Sequence, residues 1–158
     1  MSRDQRERTP PVPRIVRPMY ADPRDGLPMV GSSKRCLLGV RPTGAHADIL
    51  LSPPGDLTGQ VVLNGTGLSV VEDYRTLPAH TIPEELDDEV NGASGKGMKV
   101  YAHETGMFTQ GAVSSGLELL LKSDSVASGV VCPTTSVTLD QYQADLAATR
   151  TQWIEDES

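Results

Sequence analysis

Prolines and glycines cut this 158-residue chain into short apolar runs: it holds 15 Gly and 12 Pro, spread along most of its length. Proline fixes φ and removes a backbone donor, while glycine loosens the chain, so neither lets a long helix run on. A helical bundle is thereby disfavoured, and a small β-rich or α+β domain with many turns is expected. One Trp, one Phe and four Tyr leave Leu, Val, Ile and Ala to build the core. The length suits a single core.

Residues 1–13 end in Pro10-Pro11-Val12-Pro13 and read as a disordered, Arg/Pro-rich arm, which leaves 14–158 as one domain. Ile15-Val16-Arg17 reads as a strand ended by Pro18, and Cys36-Leu37-Leu38-Gly39-Val40 as a second apolar segment. Asp48-Ile49-Leu50-Leu51, Val61-Val62-Leu63 and Leu68-Ser69-Val70-Val71 follow as strands, with Asn64-Gly65 as a tight turn. Ile82-Pro83-Glu84-Glu85-Leu86 looks like a helix first turn, with Pro83 near N1 and acids favouring the dipole. Met98-Lys99-Val100-Tyr101, Leu117-Glu118-Leu119-Leu120-Leu121 and Gly129-Val130-Val131-Cys132 are further strands. Thr138-Leu139-Asp140-Gln141 is a capping-box pattern, and Leu139, Tyr142, Leu146, Thr149 and Trp153 recur at helical spacing. They predict a C-terminal helix of roughly four turns, with Trp153 as its anchor.

Charge is unevenly spread. Residues 1–41 hold nine Lys/Arg against four Asp/Glu, and residues 42–158 hold five against seventeen. With a net charge of −7, the acidic body excludes general nucleic-acid binding, which needs a basic face. No apolar run reaches the ~18 residues that a spanning helix needs, so no membrane association is expected. Met1–Pro11 lacks the apolar stretch of a secretory signal. Cys36 and Cys132 are far apart and unsuited to a metal pair, which suggests reduced thiols in a cytoplasmic setting.

Familiar site motifs fail on inspection. Aligning a Walker loop on Gly95-Lys96 puts Val90 at the leading glycine and Gly97 where the magnesium-binding hydroxyl belongs, so Gly92–Gly97 reads as a mobile surface loop. Gly65-Thr66-Gly67 is too short for a dinucleotide fingerprint. His46, His80 and His103 are widely spaced and read as surface or hydrogen-bonded structural groups. No G-x-S-x-G elbow supports a hydrolase triad. Isolated polar residues on or beside strands remain: Arg17, Ser69, Tyr74, Glu118 and Ser128. Each has a structural reading of its own, as an ion pair, a backbone partner or an exposed sheet group. Together they offer the cation, hydroxyl and aromatic face that a nucleotide-binding β-sandwich requires.

Ile15-Val16-Arg17, Asp48-Ile49, Gly67-Leu68-Ser69-Val70, the Ile82–Leu86 block, the strand ending in Pro133 and the near-terminal Trp153 carry a family resemblance. In their order and spacing the chain resembles the small type VI secretion effector toxins with an ADP-ribosyltransferase-like fold. The resemblance implies two packed β-sheets with a few helices, a cognate immunity protein, an unidentified target macromolecule, and export by a contractile secretion system into a target cell. It implies cleavage of the nicotinamide–ribose bond of NAD and transfer of ADP-ribose. Arg17 would then bind the pyrophosphate, Ser69 the nicotinamide ribose, and Tyr74 would stack on nicotinamide. Glu118 would supply the orienting carboxylate. Ser128 falls where the family has a histidine, and it can donate a hydrogen bond but cannot act as an imidazole base. Two other classes stay open: a non-catalytic binding toxin of the same fold, and an interaction domain that presents its acidic body to a basic partner.

Overall fold

The computed structural model describes residues 12–33, 36–45, 47–73, 75, 79–83, 86, 92–93, 95–104, 106–122 and 128–155. Its strands are β1 (Ile15–Tyr20), β2 (Leu51–Ser52), β3 (Gln60–Val61), β4 (Leu68–Val71), β5 (Met98–His103), β6 (Gly111–Ser114), β7 (Leu117–Leu121), β8 (Ser128–Pro133) and β9 (Trp153–Glu155). Among the described residues one α-helix, α1 (Leu139–Ala148), precedes β9. Seven strands form one sheet in the order β6-β7-β8-β4-β1-β5-β9, and β2 pairs with β3 in a small second sheet. All these pairings are antiparallel. The class is therefore α+β, with mostly antiparallel sheet and one C-terminal helix.

Alternation along the strands decides which side is packed. On β7, Leu117 and Leu119 are buried while Glu118 and Leu120 are half-exposed, the period of two that a pleated strand imposes. The main core gathers Ile15, Met19, Leu68, Val70, Tyr101 and Val131 from the large sheet, Leu51 and Val61 from the small one, and Leu139, Tyr142 and Leu146 from α1. A smaller cluster of Val16, Val71, Ile82, Ala93 and Val100 covers part of the opposite face.

Proline does not end β1, contrary to the sequence reading. The strand runs through Pro18 to Tyr20, with Pro18 opposite Val100. The Tyr20 N–H donates to the Cys36 carbonyl (2.8 Å) and its own carbonyl accepts from Met29 (2.9 Å), so this parity of β1 faces away from β5. Pro18 shares that parity, and β4 pairs with β1 only at Val16↔Val71. The missing N–H thus lies where β4 has already parted from β1, and no ladder bond is lost there.

Other sequence readings differ from the structure. Trp153 does not belong to a four-turn helix: α1 stops at Ala148, a 3-10 turn covers Arg150–Gln152, and Trp153 opens β9 opposite His103. Thr138 does cap α1, accepting the Gln141 N–H at 3.2 Å, but the Gln141 amide bonds Asp145 (2.8 Å) and does not close a capping box. The arm does not reach residue 13: Pro13 is buried, and the Val12 carbonyl accepts the Gly106 N–H at 3.0 Å. The glycine-rich loop is tethered where it is described, since Gly95 donates to Ile82 (2.7 Å) and Ala93 is buried. The helix expected beyond Leu86 lies outside the described residues, as do Glu84 and Glu85. Strand β6, which pairs with β7 across a register shift between Ala112 and Ser114, had no counterpart in the sequence reading.

Gly67 has a packing reason. The Tyr142 hydroxyl reaches between β4 and β8, accepting the Leu68 N–H at 3.1 Å and donating to the Val131 carbonyl. A Cβ at Gly67 would stand 2.8 Å from that hydroxyl and 2.6 Å from the Val131 oxygen. Any side chain there would have to displace a buried bridge.

Candidate functional site

Where β4 leaves β1, a cleft of about 170 Å³ opens between the two strands. Its walls include Arg17, Cys36, Arg41, Asp48, Ser69 and Thr81. Arg17 is its deepest charge. Only 9% of the residue is exposed. Nη1 donates to the Ser69 carbonyl at 2.7 Å and Nη2 to the Leu37 carbonyl at 2.9 Å, while Nε is buried with no partner.

A guanidinium carries five N–H donors and stays charged at any ordinary pH. Here its assigned acceptors are neutral backbone oxygens. Burial lowers its pKa below the usual value; Cys36, Asp48 and Tyr142 oppose that shift, and the like charge of Arg41 adds to it. Asp48 is committed elsewhere. It accepts the Arg41 backbone N–H at 2.7 Å and faces the Arg41 guanidinium through two contacts of 3.3 Å. Among the described residues the cleft thus holds two guanidinium groups and one carboxylate.

The structure brings Arg17 and Ser69 into contact through the Ser69 backbone. Directly opposed residues share a sheet face, so the Val16↔Val71 pair puts Ser69 on the Val16 face and Arg17 on the other. Ser128 stands opposite Val71, and Glu118 opposite Cys132, so both share the face of Ser69. Two strand spacings and two residues separate Glu118 from Ser69, roughly 12 Å. Glu118 and Ser128 are not among the cleft-lining residues, and Tyr74 lies outside the described residues. The carboxylate among the described residues of the cleft is Asp48, which the sequence reading took as the start of a strand and part of the family resemblance but gave no role at the site.

The remaining candidate groups stand apart from the cleft where they are described. His103 is fully buried, bonded through Nε2 to Gln152 (2.9 Å) and packed against Trp153 with ring centroids 5.2 Å apart. His80 is exposed on a short 3-10 turn, and His46 lies outside the described residues. Burial pushes the Cys132 thiol up to about 11, with Glu118 adding to the shift, which keeps it protonated and unreactive. Among the described residues no three His, Cys, Asp or Glu side chains gather as a metal site. None of their helices is long and apolar enough to cross a membrane. No protein-family model, curated protein or solved structure matches the chain.

Proposed function

We propose that the chain is a toxin of the ADP-ribosyltransferase kind that receives NAD in the Arg17 cleft. One observation carries the reading: a buried guanidinium held only by backbone carbonyls, with an orphan Nε, beside an exposed serine on a parted strand. A cation kept from water without a bonded counter-charge favours an anion in its cleft, and a pyrophosphate supplies one. Breaking the nicotinamide–ribose bond passes through an oxocarbenium-like state, which needs positioning and a nearby negative charge more than a strong nucleophile. In this reading Asp48 takes the role expected of Glu118, and Ser69 holds the ribose. The acceptor is a macromolecule of the target cell, and a cognate immunity protein protects the producer.

The position of Ser69 favours a second reading, in which the same cleft binds its ligand without turnover. Its side chain and that of Arg17 leave opposite sheet faces, so a single ribose must span the gap between strands to meet both. Purified protein incubated with NAD and a target-cell lysate separates the two. Transfer requires nicotinamide release and ADP-ribose on lysate protein, both lost in Ser69→Ala. Because Ser69 is exposed, that variant should fold normally. Binding without release supports the second reading, and full turnover in folded Ser69→Ala refutes the assignment. Growth arrest on heterologous expression separates either toxin from a mere interaction domain.

A further inference from the structure

The cleft contains more positive charge than Arg17 alone, and the second arginine is loosely held. Arg41 lines the same cavity. Its two side-chain contacts with Asp48 are both 3.3 Å, longer than the usual N–H···O range. Nη1 has no partner among the described residues, and the pair keeps about a fifth of each side chain exposed. The firm bond of Asp48 is the 2.7 Å one to the Arg41 backbone N–H, which fixes the loop and leaves the guanidinium replaceable. Among the described residues, two cations facing one carboxylate leave one positive charge over; both Arg17 Nη groups are engaged by backbone carbonyls, so the planar fork that an oxyanion can take is that of Arg41.

We propose that Arg17 and Arg41 form a two-arginine clamp for a phosphate-type oxyanion, with Asp48 holding Arg41 in reserve until the anion displaces it. This rests on reading the Arg17 cleft as the ligand site. A tetrahedral phosphoryl group presents oxygens in several directions and so reaches both walls, whereas a carboxylate presents two in one plane. Arg17 is fixed by the backbone and supplies the permanent charge. Arg41 is the specificity-determining partner, and Asp48 competes with the ligand for it.

Calorimetric titration with inorganic pyrophosphate tests the clamp without any chemistry on NAD. Arg41→Gln should weaken binding about tenfold or more, the usual effect of losing a charged hydrogen bond. Asp48→Asn should strengthen it several-fold, because asparagine still accepts the Arg41 backbone N–H but no longer neutralises the guanidinium. Urea midpoints check that each variant is folded. Should Arg41→Gln not fold, Arg41→Lys serves, keeping the charge but losing the fork, and it should still bind more weakly than the wild type. Wild-type protein that ignores millimolar pyrophosphate, variants that bind as the wild type does, or succinate bound as well as pyrophosphate would each overturn the clamp. Both shifts without NAD turnover uphold the clamp and remove the transferase reading; NAD turnover with neither shift does the reverse.

Discussion

Replacing Tyr142 with Phe removes one oxygen atom and tests a buried joint between β4 and β8. Tyr142 is fully buried, and its hydroxyl is the only group described between the Leu68 N–H and the Val131 carbonyl, which stand opposite each other on β4 and β8. Burial, the largest influence on that hydroxyl, raises its pKa far above the ordinary tyrosine value, so it bridges in its neutral form. Without the oxygen, a buried donor and a buried acceptor lose their partner, at about 1–3 kcal/mol each. Partial closure of the strands recovers some of this, so the expected loss is about 2–4 kcal/mol. For a chain of this size that lowers Tm by about 5–15 °C. Urea unfolding followed by fluorescence of the single tryptophan, Trp153, and by far-UV circular dichroism measures it directly. Gly67→Ala supplies the cross-check, because its Cβ would press on the same hydroxyl. The double variant should lose less than the sum of the singles, since one clash has gone with the oxygen. A loss below about 0.5 kcal/mol in Tyr142→Phe, or strict additivity with Gly67→Ala, would refute the bridge.

Two pH dependences follow from groups outside the cleft. Asp22 accepts hydrogen bonds from the Arg24 side chain and backbone and faces Arg150, and these hold its carboxyl far below the usual range. A depressed folded pKa means its contribution is complete above the unfolded value near pH 4 and is lost as pH falls further, so acid unfolding should be shallower in Asp22→Asn. Burial, aided by Glu155, pushes Tyr101 up to about 12, and its hydroxyl donates to the Gly26 carbonyl at 2.7 Å. The unfolded chain then loses that proton first, and stability should fall between about pH 10 and pH 12. Urea midpoints across that range should decline less steeply in Tyr101→Phe, and parallel slopes would rule Tyr101 out as the cause. In the cleft, Ser69→Ala should leave the urea midpoint unchanged and abolish nicotinamide release, as read by chromatography.

Local pattern determined much of the strand content. The alternation of Leu117–Leu121, the apolar runs at Leu68–Val71 and at Gly129–Cys132 (within the strand Ser128–Pro133), and the Thr138 cap were legible because a few neighbouring residues suffice to specify them. Elements whose form depends on distant partners were not. Trp153 continues the helical spacing of α1, yet pairing with His103 on β5 and a 2.9 Å bond from its indole to Thr149 draw it into a strand. Pro18 looks like a stop signal, and only the parting of β4 makes it harmless within β1.

The site divides in the same way. Arg17 and Ser69 were visible as polar residues on apolar strands, and sequence alone marked both as candidates. Which face each side chain leaves is a matter of register, and register is set by pairing across the sheet. That pairing places Glu118 and Ser128 away from Arg17, while loop residues Arg41 and Asp48 are folded against it from the stretch before β2. Sequence by itself determined that this is a proline-cut, turn-rich chain of short strands with a C-terminal helix and a basic residue in its first strand. Only the tertiary structure decided that this residue is buried, what it bonds, and which charges share its cleft, because burial and charge proximity are properties of contacts between distant segments.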